Sequence, residues 1–473
     1  MTKKTKWSYC VGAVGRDAAY ALVSMYLILY VQYTMNLTTA QFAVISACMV
    51  GCMVWDAVND LMMGIIIENA HMKMGKFKPW ILLGAILNAC VIIGLFTIRP
   101  GGWGFVAFYS VGYLLWGMTY TMNDIAYWGM LPSLSSDAEV RNVLVTTMSV
   151  FTCIGQFLVA GVVPMVIAGN AIKAYRVIAL VVGLMFIGFQ ALTALGVTEQ
   201  EREEPGTSLS LKDMFQIFSR NDQLVWAGIS SILFNVGQNL LIIFGVNFFY
   251  VEFGYAKSGD LVFLFTVMYG LGTLFSQASY AAVMKRLSRR QVLTCATIGI
   301  VVLYIGFLGV GYVLPKSVLL INIIGFLIFF FQGFINMTVI VMINNTIEYD
   351  EYRYHERHDS VISAVRSFSV KLAAGINQGL STLVLIVSGI YATSQKISGL
   401  EMAAGQGEMT SQEVLDRATG YLGAILPSQG FALRLGMTMI PIATIFAMYL
   451  LLRNNYKIDE EEYTRLVDAL QKR

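Results

Sequence analysis

The sequence predicts an all-helical membrane protein that crosses the bilayer about twelve times, and three observations carry that prediction. Hydrophobic residues fill 57% of the 473 positions while charged residues fill only 13%, about half the charge share of a water-soluble domain. The mean hydropathy is +0.65. The apolar residues also gather into long segments, and a hydrocarbon core about 30 Å thick needs roughly 20 such residues per helix.

Segments able to span lie near 8–34, 41–68, 80–99, 103–130, 143–168, 176–197, 223–252, 259–284, 291–313, 317–345, 360–393 and 431–453. The first follows Met-Thr-Lys-Lys-Thr-Lys and is interrupted by Arg16 and Asp17. That is unlike the short, clean apolar core of a cleaved signal peptide, so this helix is expected to stay. The longest polar interruption, 198–222, follows the sixth segment and contains Glu199, Glu201, Arg202, Glu203, Glu204 and Pro205. It divides the chain into a six-helix half (1–197), a middle loop (198–222), a second six-helix half (223–455) and a charged tail (456–473).

Lysine and arginine are sorted by loop. One side holds Lys3, Lys4 and Lys6, then Lys73, Lys76 and Lys78, Arg141, Arg202, Lys212 and Arg220, Lys285 to Arg290, Arg353 and Arg357, and the tail. The other side has scattered cations such as Arg99, Lys173, Lys257 and Lys316. An excess of cations marks cytoplasmic loops, so both termini are expected in the cytoplasm. Loops 71–79 and 284–290 follow the second helix of each half, as two parallel repeats would leave them. In the long external loop 394–430, Thr410 and Glu413 have capping-box spacing, consistent with a short surface helix or with plain loop.

The net charge of +3 is distributed over these loops and forms no single patch, which argues against nucleic-acid binding. Cys10, Cys48, Cys52, Cys90, Cys153 and Cys295 show neither a disulfide framework nor a metal cluster and read as packing residues. His71, His355 and His358 are the only histidines and fall in loops. With no nucleophile elbow and no phosphate loop, an enzyme is not expected.

Charges inside the bilayer cost at least about 2.5–3.5 kcal/mol each, so they mark function. Asp56, Asn59 and Asp60 fall at i, i+3 and i+4 and share one helical face. Their oxygens suit a hard cation such as Na+, or else the carboxylates are neutralised by Lys or Arg of another helix. Thr121, Asp124 and Trp128 form a second stripe, with hydroxyl, carboxylate and indole suited to a carbohydrate. Arg16 and Asp17 point about 100° apart, so each is expected to find its partner on a different neighbouring helix. Lys371 lies about 16 Å into the eleventh segment and shares a stripe with Ser360, Ser363 and Ser367, whereas Arg366 faces away, either to a salt bridge at the cytoplasmic gate or to substrate. Asn235, Gln238 and Asn239 offer amides either to a polar cavity or to neighbouring helices.

Seven ordered motifs give the chain a family likeness. They are Gly15-Arg16-Asp17; Trp55-Asp56-Ala57-Val58-Asn59-Asp60; Gly75-Lys76-Phe77-Lys78-Pro79-Trp80; Trp116-Gly117-Met118-Thr119-Tyr120-Thr121; Asp124 with Trp128; Leu287-Ser288-Arg289-Arg290; and Glu348-Tyr349-Asp350-Glu351-Tyr352. Over most of its length the chain resembles the glycoside-pentoside-hexuronide cation symporters of the major facilitator superfamily, the melibiose permeases above all. The resemblance implies sugar uptake driven by Na+, Li+ or H+, with no other cofactor, in the cell membrane, expected to be a bacterial inner membrane. A monomer is expected.

Carried over by position, the resemblance implies a cation site at Asp56, Asn59, Asp60 and Thr121, in which Asp56 and Asp60 would ligate Na+ as the only metal. It implies a sugar site at Arg16, Asp17, Asp124 and Trp128, with Lys371 linking the two. The chain departs from the melibiose permeases at Ser149, where an arginine is expected, at Arg16 in place of a lysine, and at Arg366 in place of a glutamine. The substrate is therefore not assumed to be melibiose. Asp17 and Asp124 favour a neutral glycoside; a hexuronide or pentoside is the alternative, and a lysolipid a more distant one.

Overall fold

The computed structural model describes residues 2–70, 72, 74–135, 138–199, 211–355 and 359–471. Lys73, Arg202, Arg357, most of the middle loop and the side chains of Ser360 and Ser363, all named above, lie outside the described residues.

The described chain is helical apart from short connections. The first segment is continuous from α1 (Lys3–Ala21) through a π-turn (Leu22–Tyr26) into α2 (Leu27–Thr34). Then follow α3 (Thr39–Asn69), α4 (Lys78–Thr97), α5 (Gly102–Leu134), α6 (Ala138–Ile167) and α7 (Ala171–Gly196). After α8 (Leu211–Arg220), the seventh expected segment is two helices, α9 (Asp222–Ile243) and α10 (Gly245–Phe253), broken at Phe244. The remaining long helices are α11 (Ser258–Met284), α12 (Arg289–Gly309), α13 (Val318–Tyr354), α14 (Asp359–Val387) and α17 (Pro427–Asn455).

Among the described residues, 11 helical stretches are long and apolar enough to cross a membrane. The expected span absent from that set is α5, which is 33 residues long. Its Thr119, Tyr120, Thr121, Asn123 and Asp124 lower its hydropathy. Large apolar side chains point outward along many of these helices, among them Leu184, Leu195, Ile298 and Leu319. An apolar exterior on this scale suits lipid better than water.

Of the two readings of that loop the surface helix is the one present, as α16 (Ser411–Gly423), with its Thr410–Glu413 capping box formed. Before it stands α15 (Ile390–Gln406), within what reads from sequence as loop. The charged tail forms α18 (Glu460–Gln471).

By compactness the chain divides into two units that differ from the sequence halves. Unit 1 comprises Met1–Glu204 with Val246–Phe263 and Thr382–Gly430; unit 2 comprises Pro205–Gly245, Leu264–Ser381 and Phe431–Arg473. In unit 1, α10 and α15 join the first half through specific bonds. Gln32 Nε2 and Tyr33 Oη both donate to Asn247 Oδ1, at 2.8 and 2.7 Å. The Leu37 amide donates to Gln395 Oε1 at 2.8 Å, and Tyr391 Oη donates to the Leu37 carbonyl at 2.9 Å.

Each unit also has a carboxylate bonded at the start of a helix. In unit 1, Glu199, just past α7, accepts from the backbone N–H of Lys76, Phe77 and Lys78 at 2.8, 3.3 and 3.0 Å. In unit 2, Glu460 accepts from the Arg289 N–H at 2.6 Å at the start of α12. Both satisfy backbone donors that a helix start leaves unpaired.

Candidate functional site

Four helices of unit 1, α1, α3, α5 and α6, carry most of the candidate residues. Glycine brings them close. A methyl group on Gly155 of α6 would sit 2.3 Å from the Val14 carbonyl oxygen of α1, and one on Gly117 of α5 would sit 2.6 Å from Asp56 Oδ1 of α3. A larger residue at Gly155 would push the α6 and α1 backbones apart, and one at Gly117 would displace the Asp56 carboxylate.

Arg16 is the centre of the first cluster. It is 3% exposed, and its guanidinium donates to Asp17 Oδ2 from Nε at 3.2 Å and from Nη2 at 2.9 Å. Its Nη1 lies 3.2 Å from Asp124 Oδ1. The rings of Tyr127 and Trp128 flank the guanidinium, with centroids 4.6 and 5.6 Å away. Arg16 and Asp17 thus do find partners on different helices, Asp124 of α5 for the one and α6 for the other, and the bond between the two themselves is what the expectation left out. Two adjacent side chains do start about 100° apart, but the arginine stem is long enough to curl back onto the neighbouring carboxylate while its free end reaches Asp124.

Asp17 is 5% exposed. It accepts further bonds from Thr152 Oγ1 at 3.0 Å and Gln156 Nε2 at 3.4 Å, both on α6. Asp124 keeps a third of its side chain open, at 33%, and Trp128 is 41% exposed. Ser149, on the same helix as Thr152, is exposed and its hydroxyl donates to the Val145 carbonyl at 2.8 Å, away from this cluster.

The second cluster joins α3 to α5. Thr121 Oγ1 donates to Asp60 Oδ1 at 3.0 Å. Asn59 is 6% exposed, and its side-chain nitrogen has no partner in the structure. Asp56 and Asp60 are half-buried. Carboxylate, amide and hydroxyl oxygens make an all-oxygen donor set, the kind hard cations take. Thr121 and Asp124 are three residues apart on α5, about 4.5 Å along the axis, so one rigid helix serves both clusters.

Aromatic residues to which the sequence assigned no role in the site border the first cluster. Tyr20 lies 5.3 Å from Tyr120 and 6.0 Å from Trp116, centroid to centroid. Tyr113, Trp116 and Tyr120 follow at i, i+3 and i+7, so the stripe along α5 is visible in the sequence once sought. Thr152 and Gln156, by contrast, become visible only through their contact with Asp17.

Lys371, Arg366, Asn235 and Asn239 lie in unit 2. Arg366 is exposed and Lys371 half-buried. The amides of α9 turn largely onto their own backbone: Asn235 Nδ2 donates to the Ser231 carbonyl at 2.8 Å and Asn239 Nδ2 to the Asn235 carbonyl at 3.0 Å. Asn377 Nδ2 of α14 reaches the Asn235 carbonyl at 3.4 Å.

A family model described as MFS/sugar transport protein matches residues 8–460. Among curated proteins, the chain is 25% identical to a lactose permease of Lactobacillus delbrueckii subsp. bulgaricus, covering 100% of this chain and 73% of that one. It is 24% identical to a raffinose carrier protein of Pediococcus pentosaceus, covering 84% of this chain and 64% of that one, so it spans less than two thirds of that relative's length. It is 21% identical to an isoprimeverose transporter of Lactiplantibacillus pentosus, covering 84% of each. Among solved structures, a bacterial homolog to the human lysosomal transporter Spinster superposes with a TM-score of 0.65 at 12% identity over 96% of each chain. A D-xylose–proton symporter superposes with a TM-score of 0.60 at 14% identity, covering 90% of this chain and 98% of that one. At these identities the superpositions speak to the fold alone.

Proposed function

We propose, from the premise that this chain belongs to the MFS/sugar transport protein family, that it is a symporter importing a neutral glycoside with Na+, Li+ or H+. The observation that carries the reading is the α5 stripe. Thr121 bonds Asp60 on one side, and about one turn further Asp124 faces Arg16 beside the exposed indole of Trp128.

The chemistry follows from these groups. A carboxylate and a guanidinium accept and donate bonds to sugar hydroxyls, and an indole face packs on the C–H face of a sugar ring. Arg16, Asp17 and Asp124 together carry one net negative charge, which disfavours a uronate and leaves a neutral sugar suited. Asp56 and Asp60 carry two negative charges, and a monovalent cation there offsets part of the cost of holding them in a low-dielectric site. Asp60 is the residue that would take the proton if H+ is the coupling ion.

Coupling needs no further device than α5. A cation drawing on Thr121 and Asp60 steadies the same helix that presents Asp124 and Trp128, so cation and sugar favour each other, and by linkage equally. The two six-helix halves would expose the site alternately to each side of a cell membrane, with both termini cytoplasmic, in a protein that works as a monomer.

The test is uptake of a panel of galactosides, glucosides, xylosides and glucuronides into vesicles, with and without a Na+ gradient, by wild type and Asp124→Asn. Cation-stimulated accumulation of a neutral glycoside that is lost in the variant is the expected outcome. Accumulation of glucuronides alone, or uptake unaffected by Asp124→Asn, overturns the proposal.

A further inference from the structure

We propose that α15 is an external latch. It is a segment of the second sequence half that holds the outer side of the carrier shut by seating Glu401 on the start of α7 in the first half, and it must leave that seat before a ligand can enter from outside. The inference rests on the reading of the chain as a carrier whose halves expose the site alternately, and it adds the element that closes one side.

Glu401 differs from Glu199 and Glu460 in what it joins. Glu199 follows α7 and bonds the start of α4, both in the first half, and Glu460 follows α17 and bonds the start of α12, both in the second. Neither bond has to break when the halves part. Glu401 stands on α15, between the last two spans of the second half, yet its carboxylate accepts from the N–H groups of Gly169 and Ala171 at the start of α7, at 2.9 and 2.6 Å. Tyr255, on the connection between α10 and α11, donates to the same carboxylate at 2.8 Å. Asn170, just before α7, makes no capping bond with its side chain, so a carboxylate from the other half of the sequence takes the place of a cap. By compactness, too, α15 belongs with the first half in unit 1.

The seat is closely fitted. Gly169 takes φ +88°, a conformation that residues with side chains rarely adopt, and a methyl group on it would lie 3.1 Å from the Ser411 carbonyl oxygen at the start of α16. On α15, a methyl group on Gly405 would lie 3.0 Å from Ile172 Cδ1 of α7. The first turns of α15 close on the α2–α3 connection, where Tyr391 and Gln395 bond the carbonyl and the amide of Leu37 and the Tyr391 ring stacks on Phe42 at 4.3 Å. Glu401 itself is 0% exposed. A carboxylate suits a contact that must be made and broken: its three donors hold it while buried, and water takes it up when it is released, so no charge is stranded in either state.

The first experiment locks the latch. A β-carbon on Gly405 would stand 3.5 Å from Ile172 Cβ, within the range of about 3.5–4.5 Å that a disulfide spans. In the double variant Ile172→Cys with Gly405→Cys, oxidation is expected to abolish uptake of a transported glycoside and a reductant to restore it. Each single variant, which controls for the native cysteines, is expected to keep its uptake under the same oxidation. Uptake that persists in fully cross-linked protein overturns the proposal, because α15 would then stay with the first half through the whole cycle, as a merely structural role requires.

The second experiment needs no sugar. It reads the rate at which an impermeant maleimide, added outside, labels Leu37→Cys, with the label located by mass spectrometry. Leu37 is 4% exposed. Glu401→Gln keeps the shape of the side chain and removes its charge, and it is expected to raise the labelling rate about tenfold, the worth of one hydrogen bond to a charged group. A rate that Glu401→Gln leaves unchanged overturns the proposal, and this measurement decides alone if the cysteine pair does not oxidise. If the wild type carries no glycoside while labelling at position 37 still responds to Glu401→Gln, the latch stands and the sugar reading falls.

Discussion

Units 1 and 2 satisfy their interior polar groups in different ways, and the contrast indicates where ligand chemistry is concentrated. In unit 1 the key side chains are tied across helices: Arg16 of α1 to Asp124 of α5, Thr121 of α5 to Asp60 of α3, Thr152 of α6 to Asp17 of α1. In unit 2, Asn235, Asn239, Thr338 and Thr438 all donate to carbonyls one turn back on their own helices. An amide or hydroxyl can be satisfied by its own backbone, but a buried charge needs a counter-charge or strong donors from elsewhere. Unit 2 also pairs a buried charge across helices, with Asp350 3.7 Å from Arg220 Nη2 near the helix ends, whereas the charges of unit 1 lie along the helices and depend on mutual geometry, which is what a ligand can perturb. The carboxylates at helix starts, Glu199 and Glu460, occur in both units, so the asymmetry lies in the interior of the helices.

The contrast would break most visibly at Asp60. Replacing it by Asn keeps the shape and an acceptor for Thr121 but removes a charge from the proposed cation site. Cation stimulation of uptake is expected to fall about 100-fold, in keeping with roughly 1.5–3 kcal/mol per interaction with a charged group. Uptake measured against external Na+ and pH checks this, and stimulation that survives would move the cation elsewhere. Arg16→Lys comes next. Lysine keeps the charge but not the planar fork that serves Asp17 and Asp124 together, so sugar affinity is expected to drop about tenfold, the loss of one charge-assisted bond. Titration calorimetry with the transported glycoside reads it directly.

What could be read in advance followed from local periodicity. Asp56, Asn59 and Asp60 lie within one turn and a third, Thr121, Asp124 and Trp128 within two turns, and the Thr410–Glu413 box within one; helix geometry relates residues at such spacings whatever surrounds them. What could not be read was long-range. Thr152 meets Asp17 across 135 positions, and Glu401 meets Ala171 across 230; no period in the sequence encodes either. The pairing of Arg16 with Asp17 was missed for another reason. Helical angle constrains Cβ directions, and a side chain with four rotatable bonds is not bound by them. The break between α9 and α10 carries no proline, only Phe244 before Gly245, so it gave no strong signal.

Glu401 sharpens the comparison within unit 1, because it is fully buried yet lies outside the spanning helices. Its carboxylate accepts from the N–H groups of Gly169 and Ala171 at 2.9 and 2.6 Å and from Tyr255 Oη at 2.8 Å. Glu401→Ala leaves these donors unpaired, at roughly 1–3 kcal/mol for each buried group, and a drop in the thermal unfolding midpoint is the expected result. Burial pushes the Glu401 carboxyl up, against the pull of those donors. A raised value means that the folded state holds the proton more firmly than the unfolded chain. That contribution is therefore complete below the ordinary glutamate value of about 4.3 and fades as pH rises through the raised one. Relative to Glu401→Gln, which does not titrate, wild type should accordingly gain stability as pH is lowered through that window, and a difference that stays flat with pH would exclude titration of Glu401 there.

The smallest effect is expected in unit 2. The Asn235 side chain spends its donor on Ser231 of its own helix, and the contact from Asn377 goes to the Asn235 backbone carbonyl, which alanine retains. Asn235→Ala should therefore leave sugar affinity and cation stimulation within about twofold of wild type, the size of an ordinary substitution away from a charged network. Arg366→Gln is expected to behave likewise, since Arg366 is exposed. Both are measured in the same uptake assay as Asp60→Asn. Loss of transport in Asn235→Ala would mean that its amide leaves Ser231 to meet a ligand during the cycle. The contrast between the units would then describe one stage of that cycle.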